Sequence, residues 1–118
     1  MKEVDLLPRC VDYSLEAITV YRELEKDGVG RIVGKQFLRS ATSIGANMNE
    51  AQAAQSRADF VHKIQISYKE AKETGYWIKL IEGSKILSAE RLKRVKDETE
   101  ELTKILSAII VRTKKNGT

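Results

Sequence analysis

A chain of 118 residues, 42% hydrophobic and 32% charged, is long enough for one domain with a small core and too apolar to be disordered. One Pro and seven Gly are too few turn formers for a β-sandwich of this length, and no apolar stretch nears the ~20 residues that span a bilayer. The net charge of +4 is unevenly placed, with residues 1–30 acidic and the basic excess downstream, a balance that suits an acidic partner such as nucleic acid.

The first predicted helix covers about residues 9–26, where Val11, Leu15, Ile18 and Arg22 follow a helical spacing. Asp27-Gly28-Val29-Gly30 is read as its end, with glycine supplying a left-handed C-terminal residue. The second covers about 31–53, on the stripe Val33, Phe37, Ser40, Ile44, Asn47 and Ala51. The third covers about 57–83 behind Ser56, an N-cap with Asp59 three residues on, and its stripe is Phe60, Ile64, Ser67, Ala71, Thr74, Ile78 and Ile81. The fourth covers about 89–113 behind the N-cap Ser88, on Leu92, Val95, Thr99, Leu102, Leu106, Ile109 and Thr113, an unbroken alternation of three and four. Residues 114–118 are read as a frayed basic tail. Four such helices on short loops predict a single all-α domain over 1–118, an up-down-up-down antiparallel four-helix bundle.

Helices two and three carry polar residues where apolar ones are expected. Counting outward from the turn near Gln55 sets Asn47 at the level of Lys63 and Ile64, Ser43 opposite Ser67, and Arg39 and Ser40 opposite Glu70 and Ala71. Small residues here (Ser40, Ala41, Ser43, Gly45, Ala46) let helix axes approach closely. Arg39, Asn47, Glu50 and Glu70 could form a partly buried network, its value lying in register or assembly. The same groups could instead build a binding or active site. Gly45, in mid-helix, is expected to face a close backbone neighbour.

Catalytic signatures are sparse. A di-iron bundle needs Glu-x-x-His on two helices, and the single His62 stands three residues after Asp59. No Ser or Cys beside it has the context of a nucleophile, and no phosphate loop or dinucleotide fingerprint occurs. No enzyme activity and no cofactor are expected. Cys10 stands alone, which excludes an intrachain disulfide, and the stretch MKEVDLLPRC lacks a signal-peptide run, so a cytoplasmic protein without membrane association is expected.

One surface invites a binding role. On helix three Tyr68, Lys69, Lys72, Tyr76 and Lys79 share an outer sector, and Lys35 of helix two is a further candidate cation. Cations meet phosphates and aromatic rings stack on unpaired bases, so RNA or DNA contact is one reading. Burial of the aromatics against a neighbouring subunit is the other. Arg91, Lys93, Arg94 and Lys96, followed by four carboxylates, are read as a solvated helix face.

The stretch FLRSATSIGANMNEAQAAQSRADFVHKIQISYKEAKETGYWIKLI closely resembles the signature of the four-helix bundle proteins called 23S ribosomal RNA intervening-sequence proteins. The match rests on RSATSIGANMNEA, ADFVHK and KEAKETGYWIKL, and it takes in polar and small residues as well as apolar ones. Many members carry Pro where this chain has Gly45 and Gly where it has Ala51. The resemblance implies a bundle that assembles as a ring-like homopentamer, encoded in many cases within insertions of bacterial 23S ribosomal RNA genes. The chain is also similar to the accessory variability determinant of diversity-generating retroelements, a basic pentamer that binds nucleic acid and a reverse transcriptase. No catalytic residue carries over. Arg39, Ser40, Ser43, Asn47, Glu50 and Glu70 fall on the signature, which with Ser67 favours a fold- and assembly-specifying role. The expected function is a non-catalytic oligomeric adaptor for structured nucleic acid. The alternative is a protein–protein scaffold for a partner encoded nearby, such as a reverse transcriptase.

Overall fold

The computed structural model describes residues 6–117. They form α1 (Leu6–Leu24), α2 (Gly28–Ala51), α3 (Arg57–Gly83) and α4 (Ala89–Gly117). Each helix packs on the next, α4 returns to α1, and the diagonal pairs stay apart. With short connections this is an up-down-up-down antiparallel bundle, 48 × 20 × 20 Å. Among the described residues no helix is long and apolar enough to cross a membrane.

The stripes of α3 and α4 bury as their periodicity dictates, except at Phe60 and Thr113, which stay half-buried at the helix ends. Ile64, Ser67, Ala71, Thr74, Ile78 and Ile81 of α3 face the core, as do Leu92, Val95, Thr99, Leu102, Leu106 and Ile109 of α4. Both N-caps form: Ser56 Oγ accepts from the Asp59 amide at 3.0 Å, and Ser88 Oγ accepts from the Arg91 amide at 3.0 Å. The Asp59 carboxylate answers by accepting from the Gln55 amide at 3.1 Å, a box closed one residue earlier than usual.

In α1 the expected stripe is the wrong one. Val11 and Leu15 are exposed, and the buried face is Leu6, Cys10, Tyr13, Ala17, Val20 and Leu24. Two stripes run side by side here, and the one that buries meets glycines of α2. Gly45 presses on Cys10, where an added Cβ would sit 3.0 Å from Cys10 Cβ, and Gly34 packs under Tyr21 and Leu24. The close neighbour of Gly45 is therefore α1, not α3.

The connection at Asp27 also differs from expectation. No glycine among the described residues adopts a positive φ. Asp27 instead caps α2, accepting from the Gly30 amide at 2.8 Å, so Gly28 and Gly30 belong to the first turn of that helix. Gly30 is demanded by space, since a Cβ there would lie 2.3 Å from the Leu24 carbonyl oxygen. At the other end of the chain, residues 114–117 continue α4 rather than fray. Arg57 at the head of α3 donates to the Asn116 carbonyl at 3.1 Å, satisfying a terminal acceptor. Thr118 of the expected tail, and the charged Lys2, Glu3 and Asp5, lie outside the described residues.

Candidate nucleic-acid interface

The polar residues inside the bundle form a layer with one member from each helix. Tyr13 of α1 and Thr99 of α4 join hydroxyls at 2.6 Å, and Thr99 reaches the Val95 carbonyl at 2.6 Å. Thr74 of α3 donates to Ser40 of α2 at 2.8 Å, and Ser40 to the Phe37 carbonyl at 3.1 Å. Two turns back along α3, Ser67 donates to the Ile44 carbonyl at 2.8 Å, which ties α3 directly to the α2 backbone. A buried hydroxyl without a partner is costly, so these bonds favour one register of the four helices over its neighbours. Burial pushes the Tyr13 phenol well above its ordinary value and so keeps it a neutral donor.

The other expected network members separate. Arg39 reaches two carboxylates of α3, Glu73 at 2.5 Å and Glu70 at 3.4 Å. The Trp77 indole N–H and the Arg39 guanidinium together hold the Glu73 carboxyl below the usual range. Glu50 sits 11 residues from Arg39 on α2, about 16 Å along the helix, and pairs with Lys63 at 2.9 Å. Asn47 and Ser43 each bond a carbonyl one turn back on α2, Ser43 and Arg39 respectively. Glu70 Oε1 is buried without a hydrogen-bond partner. Arg39, Glu50 and Glu70 thus do not converge on one point, and His62 is exposed. Among the described residues no group of three or more His, Cys, Asp or Glu could hold a metal ion.

On the outer face of α3 the helix meets α4 along a groove of about 490 Å³. Its floor is made of Ala71, Gly75, Ile78 and Thr99, and its rims carry Lys72, Tyr76 and Lys79 from α3 and Lys96, Glu100 and Lys104 from α4. Four lysines face one carboxylate. Lys72, Lys79 and Lys104 make no ion pair among the described residues, whereas Lys96 reaches Glu82 at 3.3 Å. Tyr76 is 55% exposed, and its ring and that of Trp77 pack edge-to-face with centroids 5.1 Å apart.

Of the predicted cations and rings, the groove gathers Lys72, Lys79 and Tyr76. Lys69 is exposed outside it, near Glu73, and Tyr68 is half-buried against the core. Lys35 belongs to α2, diagonal to α4, and stands away from the groove. Lys96 and Lys104 are the additions. Their spacing with Glu100 (i, i+4, i+8) puts all three on one side of α4, but only the packing shows that this side faces α3.

Two further grooves differ in chemistry. The α1/α4 seam is lined by Arg9, Asp12, Glu16, Arg94, Glu98 and Glu101 among others, and its carboxylates outnumber its arginines. Arg9 binds Glu98 at 2.6 and 2.8 Å, and Arg91 binds both Glu23 and Glu16. Arg91 is thus a clasp between α4 and α1 and no part of a purely solvated face. The α1/α2 groove, about 300 Å³, is apolar and lined by Leu7, Cys10, Val11 and Leu15 beside Gly45 and Ala46.

A crystal structure from Bacteroides thetaiotaomicron, of a protein of unknown function from the S23 ribosomal protein family, superposes with a TM-score of 0.84. It is 36% identical over 89% of this chain and 97% of that one. No curated protein matches. The family described as 23S rRNA-intervening sequence protein matches residues 2–108, nearly the whole bundle. The chain, carrying both the signature stretch of α2 and α3 and the bundle built on it, belongs to the 23S rRNA-intervening sequence protein family.

Proposed function

We propose that the protein is a non-catalytic oligomeric adaptor that binds structured nucleic acid through the lysine-rich α3/α4 groove. The observation that carries this reading is the gathering of Lys72, Lys79 and Lys104, none in an ion pair among the described residues, with Lys96 around a mostly apolar floor. Like charges held together on a rim repel one another, and polyanion binding relieves that repulsion while releasing counterions. The test is equilibrium binding of an RNA hairpin across a salt series. An affinity falling with a log–log slope of about −3, as four lysine contacts imply, supports the reading. A Lys72→Glu/Lys79→Glu double variant is expected to lose most of that affinity, and a variant that binds as the parent does would overturn the site.

Assembly belongs to the same proposal. Val11 and Leu15 of α1 are more than half exposed beside the apolar α1/α2 groove, and Val29 and Ile32 are exposed at the head of α2. Exposed apolar side chains beside an apolar groove are the kind of surface that interaction sites use. A second copy of the chain is the occupant proposed here. The scaffold reading puts a different protein on this face, such as a reverse transcriptase encoded nearby, and it is favoured if a heteromeric complex survives high salt while the protein alone is monomeric.

A further inference from the structure

We infer that the α3/α4 groove selects unpaired nucleotides, a base entering over Gly75 while its flanking phosphates meet the lysines on either rim. The inference rests on the nucleic-acid reading above and narrows it. Phosphates alone would need only the lysines, but the floor of Ala71, Gly75, Ile78 and Thr99 is mostly apolar, and apolar floors and aromatic rings suit base faces. The groove volume of about 490 Å³ falls in the range of small-ligand sites, roughly 300–1,000 Å³. A duplex is much wider than the ~8–10 Å between packed helix axes, so it could touch only the rims.

Gly75 is the sharpest clue. Glycine weakens a helix interior, and packing does not demand it here, because a Cβ at this position would meet nothing within 4 Å. Its effect is to keep the floor open. Tyr76, next to it, is held for stacking by a chain of contacts that starts on α2. Arg39 binds Glu73, Glu73 accepts from the Trp77 indole at 2.9 Å, and the Trp77 ring braces Tyr76 edge-to-face. Arg39 and Trp77 act in this scheme as positioning residues.

The experiment is fluorescence anisotropy at low salt with a 12-nucleotide oligo-dT, an oligo-rU of the same length, and a blunt DNA duplex of matched phosphate number. Single strands are expected to bind at least about tenfold more tightly than the duplex, with Tyr76→Ala costing about five- to tenfold on single strands alone. Gly75→Leu fills the floor without changing charge and is expected to remove most of the single-strand preference while leaving duplex affinity in place. Tighter binding of rU than of dT would assign the site to RNA, and equal binding to unpaired nucleotides of either sugar. If Gly75→Leu and Tyr76→Ala leave single-strand affinity unchanged, or lower both ligands equally, the inference is overturned. Loss of binding to all three probes in Lys72→Glu/Lys79→Glu would in that case still sustain the wider reading. No binding of any probe by the parent protein would overturn both.

Discussion

Gly30 and Gly75 are the same residue under opposite constraints, and one substitution separates them. At Gly30 a Cβ would collide with the Leu24 carbonyl oxygen, a backbone atom that moves only if α1 and α2 move together. Gly30→Ala is therefore expected to cost about 2 kcal/mol, read as a fall in Tm of roughly 5–10 °C. Gly75→Ala meets open space and removes a weak helix former, so it is expected to gain up to about 1 kcal/mol. Thermal unfolding by circular dichroism checks both, and equal signs would defeat the argument. Cys10 makes a second prediction at this scale. Burial lifts its thiol from an ordinary 9.0 to about 11, so between these values the folded state holds a proton that the unfolded state has lost. Stability from this group is complete below pH 9 and drains away as pH rises towards 11, by about 2–3 kcal/mol. Urea titrations from pH 8 to 11 are expected to show a shallower decline for Cys10→Ala than for the parent, which keeps the Tyr13 contribution in both. Parallel declines would mean that Cys10 ionises freely in the fold.

Among the elements, α3 and α4 were legible from sequence because the stripe of each keeps an unbroken three-four spacing along the helix. The cap residues Ser56 and Ser88 were legible for a similar reason, being side chains that act locally on the turn they begin. The buried face of α1 was not, because Val11, Leu15 and Ile18 make a competing apolar stripe, and only the docked α2, with Gly34 and Gly45 against Leu24 and Cys10, shows which one buries. The Tyr13, Ser40, Thr74 and Thr99 layer was hidden for a related reason, since it needs all four helices in place before its bonds exist. The groove was half legible, its α3 rim readable as one helix sector and its α4 rim readable only after docking. The α1/α4 seam is the thinnest contact of the four and depends on arginine clasps. Arg91→Ala leaves Glu16 and Glu23 without their partner, and with partial exposure trimming the effect it is expected to cost about 1 kcal/mol at pH 7. Arg91 holds the Glu23 carboxyl below its ordinary 4.5, so this contribution is present above that pH and is lost as pH falls through the lowered value. Denaturant titrations of parent and variant should differ at pH 7 and draw together as the solution is acidified below the ordinary carboxylate range. A gap that persists into acid would show that Arg91 acts by packing rather than by charge.

At the scale of the whole molecule, the bundle presents two long faces of different chemistry. The lysine groove lies between α3 and α4, and the apolar groove lies between α1 and α2, on the far side of a body only 20 Å thick. The proposed adaptor role uses this division, because subunits assembled through the apolar faces would leave the cationic grooves outward and multiply weak nucleic-acid contacts into avid binding. Val11 and Leu15 allow the division to be tested without disturbing the fold. Both are more than half exposed in the single chain, so Val11→Lys/Leu15→Glu should change the stability of an isolated bundle by under about 0.5 kcal/mol per site. In an assembly the same pair places charges in a dry interface, where unpaired charge is expensive. The double variant is expected to keep its helicity, to elute as a monomer where the parent elutes as an oligomer in size-exclusion chromatography with light scattering, and to lose nucleic-acid affinity by tenfold or more through loss of avidity. If the parent is itself monomeric, or if the variant assembles as the parent does, the α1/α2 face is not the assembly surface, and the lysine groove must bind as a single unit.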